Sequence, residues 1–274
     1  MCSTCGCSDH THATITDLED SIPHAHDREH HHRHDHVHDH EQHQSGEGAE
    51  PIPRTIELEQ DVLAKNNLIA QRNRTWLDSR GIVACNLMSS PGAGKTTLLE
   101  HTIGDLAREI PISVIEGDQE TTRDAERIRA AGCRVIQINT GAGCHLDAEM
   151  LSKAFERLDP PARSLLMIEN VGNLVCPALF DLGESARAVI VSVTEGDDKP
   201  LKYPHMFRAA DLMILNKTDL LPYVPFSVER CLENARRVNP KLSVIQVSAF
   251  RGDGLDRWYA WIREEMKSAV PARA

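Results

Sequence analysis

Ser89-Ser90-Pro91-Gly92-Ala93-Gly94-Lys95-Thr96-Thr97 follows an apolar run and precedes a helical pattern. In that setting inward-turned backbone N–H groups at a helix N-terminus cradle phosphates. Lys95 is spaced to reach the β and γ phosphates, and the Thr96 hydroxyl to bind Mg2+. Ser89 stands where such loops usually begin with glycine. Asn216-Lys217-Thr218-Asp219 follows the run Leu212–Leu215. The Asp219 carboxylate can accept from guanine N1–H and N2–H together, a donor pair that adenine lacks, so a site built on it selects GTP and GDP over ATP. Ser248-Ala249, after Leu242–Val247, is placed to offer a backbone N–H to guanine O6. By itself Asn-Lys-x-Asp reads equally as a solvated polar turn; the phosphate loop upstream and Ser-Ala downstream decide for GTP. Between these motifs, Asp118 of Glu116-Gly117-Asp118-Gln119 is available to Mg2+ directly or through water. In Glu169-Asn170-Val171-Gly172, Glu169 is an outer partner of that ion and Gly172 the amide that senses the γ-phosphate. Lys95, Asp118 and Glu169 are thus the expected catalytic residues, with Thr96, Asp118 and Glu169 around magnesium. No arginine finger or water-positioning glutamine stands out, and Gln119 and Arg123 read as surface residues.

Three clusters have the chemistry of metal ligands. Cys2-Ser3-Thr4-Cys5-Gly6-Cys7 packs three thiols into six residues. Redox Cys-x-x-Cys pairs open a helix after a strand, and no strand pattern is near, so ligation of a borderline-soft ion is the better reading of Cys2, Cys5 and Cys7. His24, His26, His30, His31, His32, His34, His36, His38, His40 and His43 make half of a twenty-residue stretch, and Asp or Glu makes half of the remainder. Nothing there can build a core, and neutral imidazole binds nickel, copper and zinc, so the tract reads as a metal store. The acidic interruptions argue against a purification tag. Cys144-His145 and Cys176 fall in loops at the carboxyl ends of expected strands, where parallel sheets place ligand sites. Alone, Cys176 would read as a small buried apolar residue. Three ligands leave a tetrahedral ion incomplete, so the fourth is water or comes from a second subunit. Nickel and zinc both fit such donors.

Composition limits the remaining possibilities. Of the net charge of −11, residues 1–50 account for most, with 11 acidic and 2 basic side chains. No basic stripe or aromatic platform suggests nucleic acid, and no apolar stretch is long enough to span a bilayer. Eight cysteines without a leader-like apolar N-terminus point to thiolate ligands in the cytoplasm rather than disulfides.

Positioning these loops requires alternating strands and helices. Residues 1–50 read as a disordered metal-binding tail. Leu58, Val62, Ile69 and Trp76 repeat at helical spacing from Ile56 to Trp76. Seven apolar runs then alternate with helical patterns: Ile82–Met88, Ile112–Glu116, Arg134–Ile138, Leu165–Glu169, Ala188–Val193, Leu212–Leu215 and Leu242–Val247. That order predicts one α/β domain over residues 51–274, a mostly parallel seven-stranded sheet with helices on both faces. A closing helix from Gly254 to Lys267 should bury Trp258 and Trp261.

The motifs together resemble the HypB family, GTPases that help insert nickel into [NiFe]-hydrogenase. Ser89–Thr97, Gly117-Asp118-Gln119, Gly143–Asp147, Ile168–Pro177, Thr194-Glu195-Gly196 and Asp198–Pro204 carry the likeness across residues 51–265, and the N-terminal cysteines resemble the nickel motif of some members. The resemblance implies a SIMIBI-class P-loop G domain with GTP-dependent homodimerisation. It also implies a nickel or zinc site at the dimer interface using Cys144, His145 and Cys176. The partners it implies are a companion zinc- and nickel-binding maturation protein and the hydrogenase large-subunit precursor. A metal store regulated by GTP, and the related urease nickel-insertion GTPase, are the alternatives. Thr194–Pro204 has no physical role that spacing reveals.

Overall fold

The computed structural model describes residues 13–18, 52–119, 121–141 and 143–268, without the side chains of 52–59. Cys2, Cys5, Cys7 and the histidine tract lie outside the described residues. Strands β1 (Thr14–Asp17), β2 (Val83–Ser89), β3 (Ile112–Asp118), β4 (Arg134–Asn139), β5 (Leu165–Glu169), β6 (Ala186–Ser192), β7 (Leu212–Asn216) and β8 (Ser243–Gln246) form one sheet in the order β1-β4-β3-β5-β2-β6-β7-β8. All pairings are parallel except β1 with β4.

Helices cover both faces, as the mostly apolar, buried central strands require. On one face lie α2 (Lys95–Leu106), α3 (Arg123–Ala130) and α8 (Leu255–Ser268), packing Leu99, Ile103, Ile128 and Trp258 onto Val83, Cys85 and Leu87. On the other, α1 (Ile52–Arg80) and α4 (Ala148–Leu158) bury Leu77, Leu151 and Phe155 against β3–β5. Farther along that face, α6 (Pro204–Ala209) and α7 (Val228–Val238), joined to β6 through the short helix α5 (Lys199–Lys202), bury Phe207 and Cys231 against β6 and β7. Trp258 is fully buried and donates from Nε1 to Thr102 Oγ1, whereas Trp261, stacked on it, is half-buried. No helix among the described residues is long and apolar enough to cross a membrane.

Two sequence expectations change. The sheet has eight strands, because Thr14–Asp17, inside the segment read as disordered, pairs antiparallel with β4. Its Thr-Ile-Thr-Asp alternation suits an edge strand, and the surrounding charge masked it. Asp17 meets Arg134 at 3.4 Å and Arg157 donates to the carbonyl of Ile15. In α1 the buried stripe is Asn66, Ala70, Asn73 and Leu77, while Val62 is exposed and Trp76 half-buried. The asparagines are buried because they hold loop backbone: Asn66 Nδ2 donates to Asp181 O and its Oδ1 accepts from Ala148 N, while Asn73 Nδ2 donates to Ala148 O and Leu182 O.

Candidate functional site

Strand β2 is buried throughout and ends at Ser89 in the middle of the sheet, so the loop to α2 lies at the carboxyl edge with neighbours on both sides. Lys95 Nζ donates to Ser89 Oγ at 2.9 Å. The serine that replaces the usual glycine is therefore the acceptor for the loop lysine. Thr96 Oγ1 donates to Glu169 Oε1 at 2.9 Å.

Register then places acid against acid. In the parallel pairing of β3 with β5, Glu116 stands beside Glu169. Burial, reinforced by the charges of Glu169 and Asp118, pushes the Glu116 carboxyl up to about 9. Burial raises Glu169 to about 7 against the pull of Lys95 and the Thr96 hydroxyl. Burial also opposes ionisation of Asp118, but hydrogen bonds from the Thr121 hydroxyl and the backbone of Gln119 and Thr121 outweigh it and hold Asp118 below the usual carboxylate range. Oε2 of Glu116 and Oε2 of Glu169 are buried with no hydrogen-bond partner. Buried oxygens are rarely left this way without a reason. An all-oxygen, acid-rich set beside a threonine hydroxyl fits a hard divalent cation such as Mg2+, which Thr96, Asp118 and Glu169 would hold. Sequence reasoning did not place Glu116 in the site, although a carboxylate inside an apolar β-branched run was the signal.

The base loop is knit to the phosphate loop. Asn216 Nδ2 donates to Ala93 O at 2.9 Å, and Asn216 Oδ1 accepts from the backbone N–H groups of Lys217 (2.7 Å) and Ala249 (3.0 Å). Lys217 Nζ donates to Gly92 O at 2.7 Å. Ser248 Oγ donates to Asp219 Oδ1 at 2.6 Å, and Ser248 N–H donates to Asp253 O at 2.9 Å. The amides of Ser248 and Ala249 are thus bonded within the protein, and the Ser248 hydroxyl holds the Asp219 carboxylate.

The metal-ligand candidates do meet. Cys144 Sγ and Cys176 Sγ are 3.0 Å apart, Cys144 Sγ is 3.7 Å from His145 Nδ1, and the three ligand atoms all lie within 4.8 Å of one another. Cys176 opens a 3-10 turn over Cys176–Ala178 and is buried. The His145 ring stacks on Phe180, and burial lowers its pKa against the opposing charge of Asp147, which favours the neutral, ligating imidazole. Burial pushes Cys133 and Cys231 up to about 12 and Cys85 higher still, leaving these as thiols that pack the core.

Both ligand-bearing loops touch the nucleotide side. Gly172 lies so close to Pro91 of the phosphate loop that an added Cβ would be 3.0 Å from Pro91 Cα, and Cys176 follows four residues later. Gly117, next to Asp118, is packed by Leu146, next to His145; a Cβ there would meet Leu146 Cδ2 at 2.8 Å. Asn170 joins the loops, accepting on Oδ1 from Leu146 N and Val171 N while its own N–H donates to Leu87 O beside the phosphate loop. Gln119 adds a bond from Nε2 to Gly143 O.

A family model described as CobW/HypB/UreG, nucleotide-binding domain, matches residues 83–246. The chain is 57% identical over 220 residues to Hydrogenase maturation factor HypB of Azotobacter chroococcum mcd 1, covering 80% of this chain and 72% of that protein. The chain belongs to the HypB family. Among solved structures, HypB from Archaeoglobus fulgidus aligns at a TM-score of 0.69 and 42% identity, covering 74% of this chain and 99% of the other. HypB from Helicobacter pylori in complex with nickel aligns at 0.71 and 36%, covering 77% and 99%. A HypB fold therefore accounts for the P-loop sheet and for the two loop clusters at its carboxyl edge.

Proposed function

We propose that this chain is a GTP-hydrolysing nickel metallochaperone of hydrogenase maturation, working in the cytoplasm and coupling the nucleotide state to a metal ion passed on as cargo. The observation that carries this reading is the pair of sulfurs 3.0 Å apart, with His145, on loops that contact the phosphate loop through Gly172 and Asp118 through Gly117 and Leu146. GTP binds with its base on Asp219 and its phosphates on the backbone of Ser90–Thr97. Lys95 leaves Ser89 Oγ for phosphate oxygens. Thr96, Asp118 and Glu169 hold Mg2+, which when bound neutralises phosphate charge. The Gly172 amide takes the γ-phosphate; its departure releases the segment leading to Cys176, so ligand geometry changes without a long relay. Intrinsic hydrolysis is slow, since the arginine that touches the loop, Arg127 at Thr97 Oγ1, is held by Glu100 and Asp124 rather than offered to a phosphate. GTP favours a homodimer, and a second subunit or water completes the coordination of Ni2+, or of Zn2+ in its place. Cargo comes from a companion zinc- and nickel-binding maturation protein and goes to the hydrogenase large-subunit precursor. Residues 51–274 are the G domain, and the N-terminal segment with its cysteines and histidines is a nickel store.

The test is nickel affinity and oligomeric state with GDP and with a non-hydrolysable GTP analogue. An affinity difference of about tenfold or more, tracking dimerisation, is expected; equal affinity in both states refutes the coupling. The store is tested by replacing the histidines of 24–43 rather than by deleting residues 1–50, because deletion would strip β1 from the sheet edge.

A further inference from the structure

The segment Thr194–Pro204 has a physical role that its spacing hid. We propose that Lys199 is a second phosphate-facing lysine, delivered from the same chain to the second residue of the phosphate loop, where it reads the terminal phosphate. The inference rests on the GTP-hydrolysing reading above.

Topology places it. Strand β6 flanks β2 on the side away from β5, with Ser89 in register with Ile190, so the turn leaving β6 lies beside the phosphate loop. That turn is held at both ends. Glu195 Oε1 accepts from the N–H of Ser192. Asp197 accepts from Arg230 Nε at 2.9 Å and from Ser227 N at 3.1 Å, and its carbonyl accepts from Asn234. Lys199 Nζ emerges 3.2 Å from Glu195 Oε2, 5.1 Å from the centre of the Tyr203 ring and 3.3 Å from Ser90 Oγ.

Two adjacent loop serines thus each hold a lysine, Lys95 on Ser89 and Lys199 on Ser90. An i,i+4 Lys–Glu pair in water contributes little and has no need of burial. Here the side chains are only 17% and 14% exposed, and the ammonium reaches a residue 109 positions away in sequence. Ser90 Oγ at 3.3 Å is a weak, neutral acceptor, and a phosphate oxygen in its vicinity would bind the ammonium far better. Charge arriving with a γ-phosphate would draw Lys199 from Glu195 and supply part of the positive charge that arginine fingers bring elsewhere.

The experiment compares full-length wild type with Lys199→Ala and Lys199→Arg. It measures dissociation constants for GDP and for a non-hydrolysable GTP analogue with Mg2+, and single-turnover GTP hydrolysis. Lys199→Ala is expected to weaken the analogue and slow hydrolysis by about tenfold each while GDP binding stays within about twofold, and Lys199→Arg to recover most of the loss. The intact GDP affinity also reports that the variant folds. Equal losses for both nucleotides would mean that Lys199 merely clamps its segment to the loop, and unchanged constants would mean that it meets no phosphate; either overturns the inference while leaving the GTPase reading standing. Wild type that turns over no GTP removes the parent reading first.

Discussion

The two halves of the carboxyl edge of this sheet are built on opposite principles. Around Asn216, Lys217, Asp219 and Ser248, the polar groups described above bond one another or the phosphate-loop backbone, so the proposed base site is tied together by its own bonds. Around Glu116, Asp118 and Glu169, carboxyls are crowded, two buried oxygens lack partners and two carboxyl pKa values are raised. The first half is internally bonded. The second stores electrostatic conflict that, on the proposed reading, a cation and a phosphate would relieve, and the cysteine- and histidine-bearing loops hang on it. Recognition gains from preorganisation, whereas switching needs an arrangement whose favoured state depends on what is bound.

That contrast can be broken in order of effect. Lys95→Ala should lower the hydrolysis rate by about a thousandfold in a phosphate-release assay, because the charge nearest the reacting phosphates is removed. Asp219→Asn should weaken GDP and GTP alike by about a hundredfold while nickel titration of the nucleotide-free protein is unchanged. If nickel affinity fell with it, the halves would not be separable. Gly172→Ala forces a methyl group against Pro91; it should compress the nickel-affinity difference between GDP and GTP-analogue states by about tenfold and leave GDP binding near wild type.

Glu116→Gln addresses the stored conflict alone. The folded pKa of Glu116 is raised from 4.5 to about 9, so its contribution to stability is fully present below about 4.5 and is lost as pH rises toward 9. Glutamine does not ionise and escapes that loss. Thermal unfolding in a chelator, without nucleotide, should show the variant more stable than wild type at pH 8 by a few degrees and indistinguishable from it at pH 4.

Much was legible beforehand where the signal is local. Seven of the strands coincide within about two residues with their apolar runs, because burial on both faces demands continuous apolar residues. The phosphate loop and the base loop stood out because their backbone geometry needs particular residue types at fixed spacing. β1 was hidden, since four residues of alternation inside a charged stretch carry little signal. The helical repeat in α1 marked the helix but not its buried side, which is chosen by carbonyl groups more than seventy residues away.

The chain alone marked seven of the eight strands in their order, the candidate nucleotide loops and the identity of the cysteines and histidine that meet. Tertiary structure alone decided that Ser89 and Ser90 each hold a lysine, that Glu116 lies beside Glu169, and that Gly172 and Gly117 leave room for Pro91 and Leu146 to join metal loops to nucleotide loops. The reason is that periodicity reports which face of an element is buried, whereas only the register between distant strands determines which side chains share that burial.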